Sequence, residues 1–338
     1  MAANKITLKD IAQKLNVSAV TVSKALRNHP DISDEMKKKV RQTAEQMGYI
    51  PDIVARNLSA RKTRTIGLIV PKIAHSFFSS LIESVYKYAA DKNYEIILTA
   101  SGERPEFENK HVLTMISMRV DGILISVTDK TTDIPLSSVV KKNQIPLVQI
   151  DRTVSEAFSK VVFEDVEGTF RAMEHAIRIG YRRFAFVGGN HNLHIARDRL
   201  QGFKNALSKY NIPLQKSFLL QGGFTERDGY LALKKFYARK DLPELIFAAT
   251  YPVALGVVQA AKELNLRIPH DIDLISFGDS QFNHFISPAI SCVLQNTDEM
   301  ARLAVTRIIA EIEHPGLPPE TIRIRSDFQL RETCKKGR

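Results

Sequence analysis

From residue 65 onward, the sequence alternates short runs of Val, Ile and Leu with segments of helical periodicity. The apolar runs are continuous, which is typical of strands covered on both faces in a parallel sheet. A first series reads TIGLIV, YEIILTA, DGILISV and IPLVQI. After VVFEDVEG the alternation restarts with RFAFVGG, FLLQGG, LIFAAT and DLISFGD. This pattern predicts an α/β body of two lobes with parallel sheets and a cleft between the lobes.

The segments between the apolar runs have the spacing of amphipathic helices. One of them places five apolar side chains on a single helical face: Phe78, Leu81, Ile82, Val85 and Ala89. In open parallel sheets, ligands bind outside the carboxyl ends of the strands, where the strand order reverses. The cleft is therefore the predicted site for a small ligand.

The N-terminal part of the chain has a different pattern, that of three short helices. Thr7 followed by Asp10 resembles a capping box at the start of the first helix, and Ser18 is a good N-cap for the second. Ser33 begins a third helix, which Gly48 ends. Helix, tight turn, helix, helix is the helix-turn-helix layout, so the sequence predicts a small all-α head.

Positive charge is concentrated in this head. Residues 1–64 contain 13 Lys and Arg against six Asp and Glu, so they carry +7 of the net charge of +11. A basic head on a nearly neutral body favours a polyanionic partner. The alternative, a basic face that is merely solvated, stays open on charge alone.

The second helix lies within the sequence VSAVTVSKALRNHP, at residues 17–30. It is either a short core helix with a basic end or a helix that lies in a DNA groove. A core helix needs a wider apolar stripe and fewer hydroxyl side chains, so the pattern favours DNA binding. Hydroxyls suit phosphate oxygens, and Lys24 can donate to guanine O6 and N7. The outer positions are Ser18, Ala19, Val20, Thr21, Ser23, Lys24 and Asn28.

A linker follows the head, with the sequence YIPDIVARNLSARKTR. Pro51 breaks the preceding helix, Asp52 can cap a new one, and IVARNLSA gives about two helical turns. Such a short helix is marginal alone in water and forms only when it packs against something. We interpret this segment as a hinge.

The head, the linker and the first strand together resemble the lac repressor/galactose repressor family of bacterial transcription regulators. The resemblance continues through GYRRFAFVGG, RLQGFKNAL, ALGVVQAAKELNLRIPHDIDLISFGD and QNTDEMARLAVTRII, and so spans essentially the whole chain. It implies a homodimer whose paired heads read a pseudo-palindromic operator in double-stranded DNA. It also implies paired hinge helices in the minor groove, with Leu58 inserted at the central step, as apolar wedges do in kinked duplexes.

The resemblance also implies a domain organisation and a DNA-binding residue set. The head would span residues 1–50, the hinge 51–64, and a periplasmic-binding-protein-like core for effector binding and dimerisation 65–338. The two lobes of the core would meet near 161–164, with crossovers near 290 and 324. Besides the outer positions of the second helix, the implied DNA-binding residues are Thr7, Tyr49, Ala55, Arg56, Asn57 and Leu58.

In the core, the resemblance implies a cleft that holds a sugar or sugar derivative. Carboxylates accept from hydroxyl pairs, an arginine donates as a fork, and an aromatic face covers the apolar side of a ring. The residues carried over are Asp151, Arg197, Phe224, Asp279 and Gln295. Further candidates for effector contact are His75, Phe77, Phe78, Thr250 and Tyr251.

The sequence departs from the family pattern at several of these positions. Thr250 and Tyr251 stand where the family usually has Asn and Asp, and Gly278 stands where many members have the first of two aspartates. A non-standard sugar or another small molecule is therefore an open alternative. In the head, Lys24 replaces a common Arg and loses bidentate geometry, and Asp52 replaces a frequent Asn.

Other functional classes lack support in the sequence. It contains no GxGxxG, no GxxxxGK[ST] and no GxSxG, so an enzyme is not expected. The two cysteines, Cys292 and Cys334, stand alone, which predicts no metal site and fits a reducing compartment. His191 and His194 in HNLH follow two glycines in a predicted loop, which favours a loop or cleft role over a zinc site. No cofactor is expected.

The apolar runs are all too short to span a membrane, and MAANKITLKD has no signal-like apolar region. We therefore expect a cytoplasmic, ligand-responsive repressor with operator DNA and a small molecule as partners, and no membrane contact. One alternative is an activator or global regulator of the same family. Another, from a different class, is a solute-binding protein without a DNA role.

Overall fold

The computed structural model describes four stretches of the chain, residues 6–49, 63–134, 136–189 and 192–335. It divides into two compact units, with the boundary between Thr63 and Arg64. Most of the predicted hinge, including Ala55, Arg56, Asn57 and Leu58, lies outside the described residues.

The first unit is a head of three helices, α1 Leu8–Leu15, α2 Ala19–Leu26 and α3 Asp34–Gln46. The predicted caps are confirmed. The backbone N–H and the hydroxyl of Thr7 each donate to Asp10 Oδ2 over 2.7 Å, and Ser18 Oγ accepts from the Thr21 N–H over 3.0 Å. The helices bury a small common core made of Ile11, Ala12, Val22, Ala25, Val40 and Ala44.

The second unit begins with the first lobe of the α/β body. Its elements in chain order are β1 Thr65–Val70, α4 Ser76–Asp91, β2 Glu95–Ala100, α5 Pro105–Ser117, β3 Gly122–Ile125, α6 Ser137–Lys142, β4 Leu147–Ile150 and β5 Ser159–Phe163. The helical face predicted from Phe78 to Ala89 is confirmed, since it is buried in α4.

The second lobe repeats this plan. Its elements are α7 Asp165–Arg178, β6 Phe184–Val187, α8 His194–Lys209, β7 Leu219–Leu220, α9 Glu226–Ala238, β8 Leu245–Ala248, α10 Tyr251–Glu263, β9 Asp273–Phe277 and β10 Ser291–Val293. Short 3₁₀ turns lie at Lys216–Phe218 and Gln281–Phe285. The last elements are α11 Thr297–Glu313, β11 Thr321–Ile324 and β12 Phe328–Gln329.

Each lobe contains one six-stranded sheet. The first sheet has the order β11-β5-β4-β3-β1-β2 and the second β12-β10-β9-β8-β6-β7. The strands pair in parallel throughout, except that β12 runs antiparallel to β10. The predicted parallel two-lobed architecture is therefore confirmed. In each sheet the strand order reverses beside the first strand of the lobe, which places the predicted ligand crevice there.

The chain passes between the lobes three times: after β5, after β10 and after β11. Helix α11 therefore belongs to the first lobe, where Met300, Ala304 and Ile308 join its hydrophobic core. Interleaved crossings of this kind connect the lobes by three short segments. Among the described residues, no helix is both long and apolar enough to cross a membrane.

Candidate functional site

The head presents one face of α2 to solvent. Val22 and Ala25 are buried in the core of the head, whereas the Val20 side chain on the opposite face is 64% exposed. Ser18 and Asn28 are exposed, and the other predicted positions are partly exposed: Ala19, Thr21, Ser23 and Lys24. An exposed large apolar side chain beside hydroxyls and a cation is suited to the major groove, where it can meet a thymine methyl.

Lys24 is not an isolated cation on this face. Its Nζ lies 2.9 Å from Asp31 Oδ2, and the same carboxylate oxygen lies 3.3 Å from His29 Nδ1. Both partners of the Lys24–Asp31 pair are at least one third exposed. The residue expected to read a base is therefore already paired in the free head.

The other predicted head residues make contacts within the head itself. Asn28 has a left-handed backbone with φ 59°, and its side-chain oxygen accepts from Arg41. Thr7 caps α1, and Tyr49 is half-buried against the head core. Contact of Thr7 and Tyr49 with DNA stays a prediction.

A pocket that is open to solvent lies between the two lobes of the second unit. Its empty space is about 740 Å³ when the solvent-filled opening is included. Residues from the carboxyl ends of strands in both sheets line it, as expected for this topology. All but one of the predicted effector positions contribute to the lining: His75, Phe77, Phe78, Asp151, Phe224, Thr250, Tyr251, Asp279 and Gln295.

The exception is Arg197, which the sequence predicts to contact the effector but which the structure does not place at the pocket. Arg197 is exposed and does not line the pocket, whereas Arg199 lines it with a side chain only 2% exposed. Arg197 and Arg199 are two positions apart on α8, so their side chains project about 200° apart around the helix axis and face nearly opposite directions. The spacing of apolar residues could have indicated that Arg199 faces inward, because it shares an apolar helical face with Ile195, Ala196 and Leu200.

Arg199 is fixed by its neighbours. Its Nε donates to Asp165 Oδ1 over 2.7 Å, and its Nη1 donates to the Ala249 carbonyl oxygen over 2.7 Å. The guanidinium carbon lies 3.8 Å from the centre of the Phe277 ring. Arg199 is thus a buried, fully oriented donor in the floor of the pocket.

Arg152 also lines the pocket and was not predicted. Its Nη1 donates to both carboxylate oxygens of Glu103, at 2.9 and 3.1 Å. Its guanidinium lies 5.6 Å from the Phe78 ring of the first lobe and 5.5 Å from the Phe224 ring of the second. The buried Nε has no hydrogen-bond partner among the described residues, so it can donate to a ligand.

Asp151 is a buried carboxylate beside these two arginines. Its backbone is left-handed, with φ 57°, and no hydrogen bond reaches its side chain among the described residues. Burial raises its pKa to about 6, although Arg152 and Arg199 oppose the shift. Asp151 is therefore an acceptor that gains most from a ligand that donates hydroxyl groups.

Two further groups can bond a ligand without carrying charge. Burial lowers the pKa of His75 to about 4 and raises the pKa of the Tyr251 hydroxyl to about 12. Both are neutral near pH 7. His75 Nδ1 and the Tyr251 hydroxyl are buried without a hydrogen-bond partner among the described residues.

The Asp279 carboxylate already accepts hydrogen bonds from other side chains, which the sequence did not predict. Arg331 donates to it twice, over 2.6 and 3.1 Å, and Asn283 Nδ2 donates over 2.8 Å. Although burial opposes ionisation, these bonds from Arg331 and Asn283 hold the pKa of Asp279 below its ordinary value. Asp279 is therefore a fixed part of the pocket lining, and these bonds use much of its capacity to accept from a ligand.

Gly278 next to it has a structural reason to be glycine. Its φ is +87°, and a Cβ at this position would lie 2.6 Å from Gln295 Oε1. Gly278 stands where many family members have aspartate, and the Gln295 side chain fills the space that a side chain at this position would need.

The described residues contain no group of three or more His, Cys, Asp or Glu placed to hold a metal ion. His194 begins α8, and its Nδ1 lies 3.2 Å from Thr153 Oγ1 across the lobe boundary. His191 lies outside the described residues. Cys292 and Cys334 are both buried and free.

Two family models match this sequence. Residues 7–52 match the model of the bacterial regulatory proteins of the lacI family, and residues 173–334 match the periplasmic binding protein-like domain. Together the two matches cover more than half of the chain.

Curated relatives and solved structures match over nearly the full length. The chain is 29% identical to the ribose operon repressor of Haemophilus influenzae, covering 97% of this chain and 98% of that protein. It is 29% identical to the probable transcriptional repressor ExuR of Bacillus subtilis, covering 98% and 99%. The crystal structure of the lac repressor dimer bound to operator and an anti-inducer matches with a TM-score of 0.87 at 21% identity, over 98% and 99%.

These relatives are named as transcriptional repressors and not as enzymes. The capped three-helix head and the two interleaved lobes match both family models and the lac repressor fold. The head therefore matches the lacI family of bacterial regulatory proteins, residues 173–334 match a periplasmic binding protein-like domain, and the chain as a whole has the fold of the lac repressor.

Proposed function

We propose that this protein is an operator-binding transcriptional repressor whose DNA affinity is set by a small polyhydroxylated effector. The observation that carries the proposal is the combination of an exposed reading helix in a lacI-type head with an interlobe pocket of unpaired buried donors and acceptors. The protein acts as a homodimer on pseudo-palindromic double-stranded DNA, in the cytoplasm where that DNA is found.

The head supplies DNA contact through α2. Phosphates are bound by the hydroxyls and the N-terminus of the helix, which fixes its register but carries no sequence information. Ala19, Val20 and Lys24 then meet base edges in the major groove. By resemblance, hinge residues 51–64 from two protomers enter the minor groove, with Leu58 as the wedge.

The pocket is suited to a ligand with several hydroxyl groups. Asp151 accepts, Arg152 Nε and the Tyr251 hydroxyl donate, and His75 Nδ1 adds a further polar contact. Phe78 and Phe224 provide aromatic faces from opposite lobes. Few polar groups on apolar walls are the usual composition of a specific small-molecule site.

The charges of the pocket favour an uncharged effector. Arg152 is paired with Glu103 over 2.9 Å, and Arg199 is paired with Asp165 over 2.7 Å. With these two cations already neutralised, an anionic ligand would lie beside the Asp151 carboxylate, and the cation left to compensate it among the described lining residues is Lys72, which is exposed to solvent. A neutral sugar therefore suits the site better than a sugar acid or a sugar phosphate.

Effector and operator are coupled through the two lobes. Because residues of both lobes line the pocket, a bound ligand stabilises one angle between them over others. A change of that angle alters the pairing of the hinge segments, and the difference in operator affinity is the coupling free energy. The direction of the effect, induction or co-repression, depends on which angle the effector favours.

The runner-up functions are less well supported. Several relatives are named as repressors, which favours repression over activation. A solute-binding protein would not need a basic helix-turn-helix head.

The test is a thermal-shift screen of the full-length protein with neutral sugars, sugar acids, sugar phosphates and nucleobases, because a ligand that binds the folded state raises its Tm. Each hit is then tested in a DNA-binding assay on a duplex selected from a random pool. We expect a neutral sugar to raise the Tm and to change DNA affinity.

Asp151→Asn removes the proposed acceptor charge. Arg197→Ala is the control, because Arg197 is exposed on α8 and does not line the pocket. The proposed effector site is wrong if the response survives in Asp151→Asn and is lost in Arg197→Ala. Failure to select any duplex would overturn the DNA-binding function itself.

A further inference from the structure

The connection from α2 to α3 is tightly folded and places a carboxylate beside the reading helix. Backbone N–H groups of Asn28 and His29 donate to the carbonyl oxygens of Ala25 and Lys24, over 3.1 and 3.0 Å. The N–H of Ile32 donates to the His29 carbonyl oxygen over 3.2 Å. The turn therefore folds back onto the end of α2.

Side chains fix the same turn from two further directions. Arg41 of α3 donates to the Asn28 side-chain oxygen, and Ile32 packs against the head core. The Asp31 N–H donates to His29 Nδ1 over 3.3 Å. The backbone position of Asp31 is thus set by the fold of the head, and its carboxylate lies beside Lys24 and His29.

Lys24 is the flexible partner of this carboxylate. A lysine side chain has four carbon–carbon bonds and loses about 2 kcal/mol of rotamer entropy when it is held in one place. Its Nζ donates to Asp31 Oδ2 over 2.9 Å. The hydrogen bond from Lys24 also lowers the pKa of Asp31 from its ordinary value of 3.8, with His29 contributing, so the carboxylate stays ionised to lower pH than a free aspartate does.

We propose that Asp31 is a specificity-determining residue for DNA, because its fixed carboxylate directs the Lys24 ammonium toward base edges and away from phosphates. The inference rests on the proposed DNA-binding function. A single lysine lacks the planar fork of arginine and bonds any nearby acceptor. A second, fixed partner supplies the orientation that the side chain itself lacks.

The carboxylate acts in two ways in this arrangement. It limits Lys24 to conformations in which the ammonium stays near Asp31, on the solvent side of α2. It also repels phosphate oxygens, so the protein loses affinity for DNA of arbitrary sequence. Asp31 therefore lowers non-specific binding more than it lowers binding to the preferred sequence.

The test compares the full-length wild type with Asp31→Asn on a pool of random duplexes, followed by titrations on the selected duplex and on a scrambled one. We expect Asp31→Asn to bind scrambled DNA more tightly and to lose about fivefold in preference at one base pair of each half-site, the size of effect that an exposed ion pair allows. The slope of log affinity against log salt should steepen by about 0.9, since the freed lysine gains one phosphate contact.

Asp34→Asn is the matched control, because it removes the same charge from α3, where Asp34 pairs with Lys37 over 2.9 Å. It should raise affinity for both duplexes equally and leave base preference unchanged. Asp31→Glu keeps the charge and should restore part of the preference. In a Lys24→Ala background, Asp31→Asn should no longer change base preference, because the effect acts through Lys24.

The outcomes separate the two proposals. If the wild type selects a duplex and Asp31→Asn selects the same one with undiminished preference, Asp31 is a plain repulsive charge and this inference is overturned. If Asp31→Asn behaves like Asp34→Asn in every titration, it is overturned in the same way. If the wild type selects nothing, the proposed function has failed first.

Discussion

The head and the core each hold an ion pair of nearly the same length in opposite environments. In the head, Lys24 and Asp31 lie 2.9 Å apart with side chains 36% and 60% exposed. In the core, Arg199 and Asp165 lie 2.7 Å apart with side chains 2% and 1% exposed. The first pair stays solvated and contributes little to stability, whereas the second cannot open without leaving a buried charge.

In the proposed function, this difference separates two kinds of recognition in one chain. DNA is recognised by exposed cations whose energy comes from displaced counterions, so the head depends on salt. The effector is recognised by groups fixed in a low-dielectric pocket, where screening is weak.

Salt should give the largest effect. Raising salt from about 50 to 200 mM should lower operator affinity by about a thousandfold, the response of a protein that neutralises six or more phosphates. Affinity for the effector should change little over the same range. Titrations of both ligands by fluorescence anisotropy and calorimetry measure the two responses, and a flat operator response would remove the basis for DNA binding by the head.

Arg199→Met should destabilise the core by about 3–5 kcal/mol, because it leaves Asp165 buried and unpaired. The control is Arg302→Met, which breaks an exposed pair with Glu299 and should cost about 1 kcal/mol or less. Urea unfolding followed by circular dichroism gives both values. Equal losses in the two variants would show that burial does not decide the cost of breaking these pairs.

Asp151→Asn should stabilise the free core at neutral pH by up to about 3 kcal/mol. The pKa of Asp151 is raised to about 6 from an ordinary value of 3.8. Its contribution to stability is therefore fully present below pH 3.8 and lost as pH rises through 6. Asn tolerates the left-handed backbone at this position.

Unfolding of wild type and Asp151→Asn, compared at pH 4 and pH 8, measures this effect. The difference between the two proteins should be small at pH 4 and largest at pH 8. A difference that does not change with pH would mean that Asp151 is not strained by burial in the free pocket.

Leu58→Ala should reduce discrimination at the central step of the operator by about tenfold, the cost typical of one mismatched pair. Leu58 lies outside the described residues, so the expectation rests on the sequence and the family resemblance. Binding to duplexes that differ only at the central step measures it. Unchanged discrimination would argue against insertion of this side chain.

Arg197→Ala should have the smallest effect. An exposed substitution away from the pocket changes stability by about 0.5 kcal/mol or less, and both operator affinity and effector response should remain. Arg197 and Arg199 lie on the same helix, so the pair of variants compares two faces of α8 directly. Loss of the effector response in Arg197→Ala would show that Arg197 is needed for effector binding, as the sequence first suggested.

Much of the architecture could be predicted from the sequence. Helix caps at Thr7, Ser18 and Ser33 depend on local hydrogen bonds, and the strands depend on continuous apolar runs, so each is encoded within a few residues. The site was predicted in part for the same reason, because positions that follow parallel strands meet at one edge of the sheet. Asp151 and Phe224 are examples, and both line the pocket.

The remaining features depend on partners that are far apart in the sequence. Arg152 pairs with Glu103 from 49 residues away, and Asp279 is occupied by Arg331 from 52 residues away. Which side of α8 faces the pocket was set by packing against the lobe core, and this selected Arg199 rather than Arg197. Local patterns carry no information on such pairings, because they arise only when the sheets and crossovers bring distant strand ends together.

Short-range periodicity, capping and motif spacing were therefore enough to predict the helix-turn-helix head, the two parallel sheets and the resemblance to the lac repressor/galactose repressor family. The pairing of charges became visible in the folded chain: Lys24 is paired with Asp31 in the head, and Arg152 and Arg199 are paired with Glu103 and Asp165 in the core. Pairing and desolvation depend on distance in space, which the fold sets and the order of residues does not.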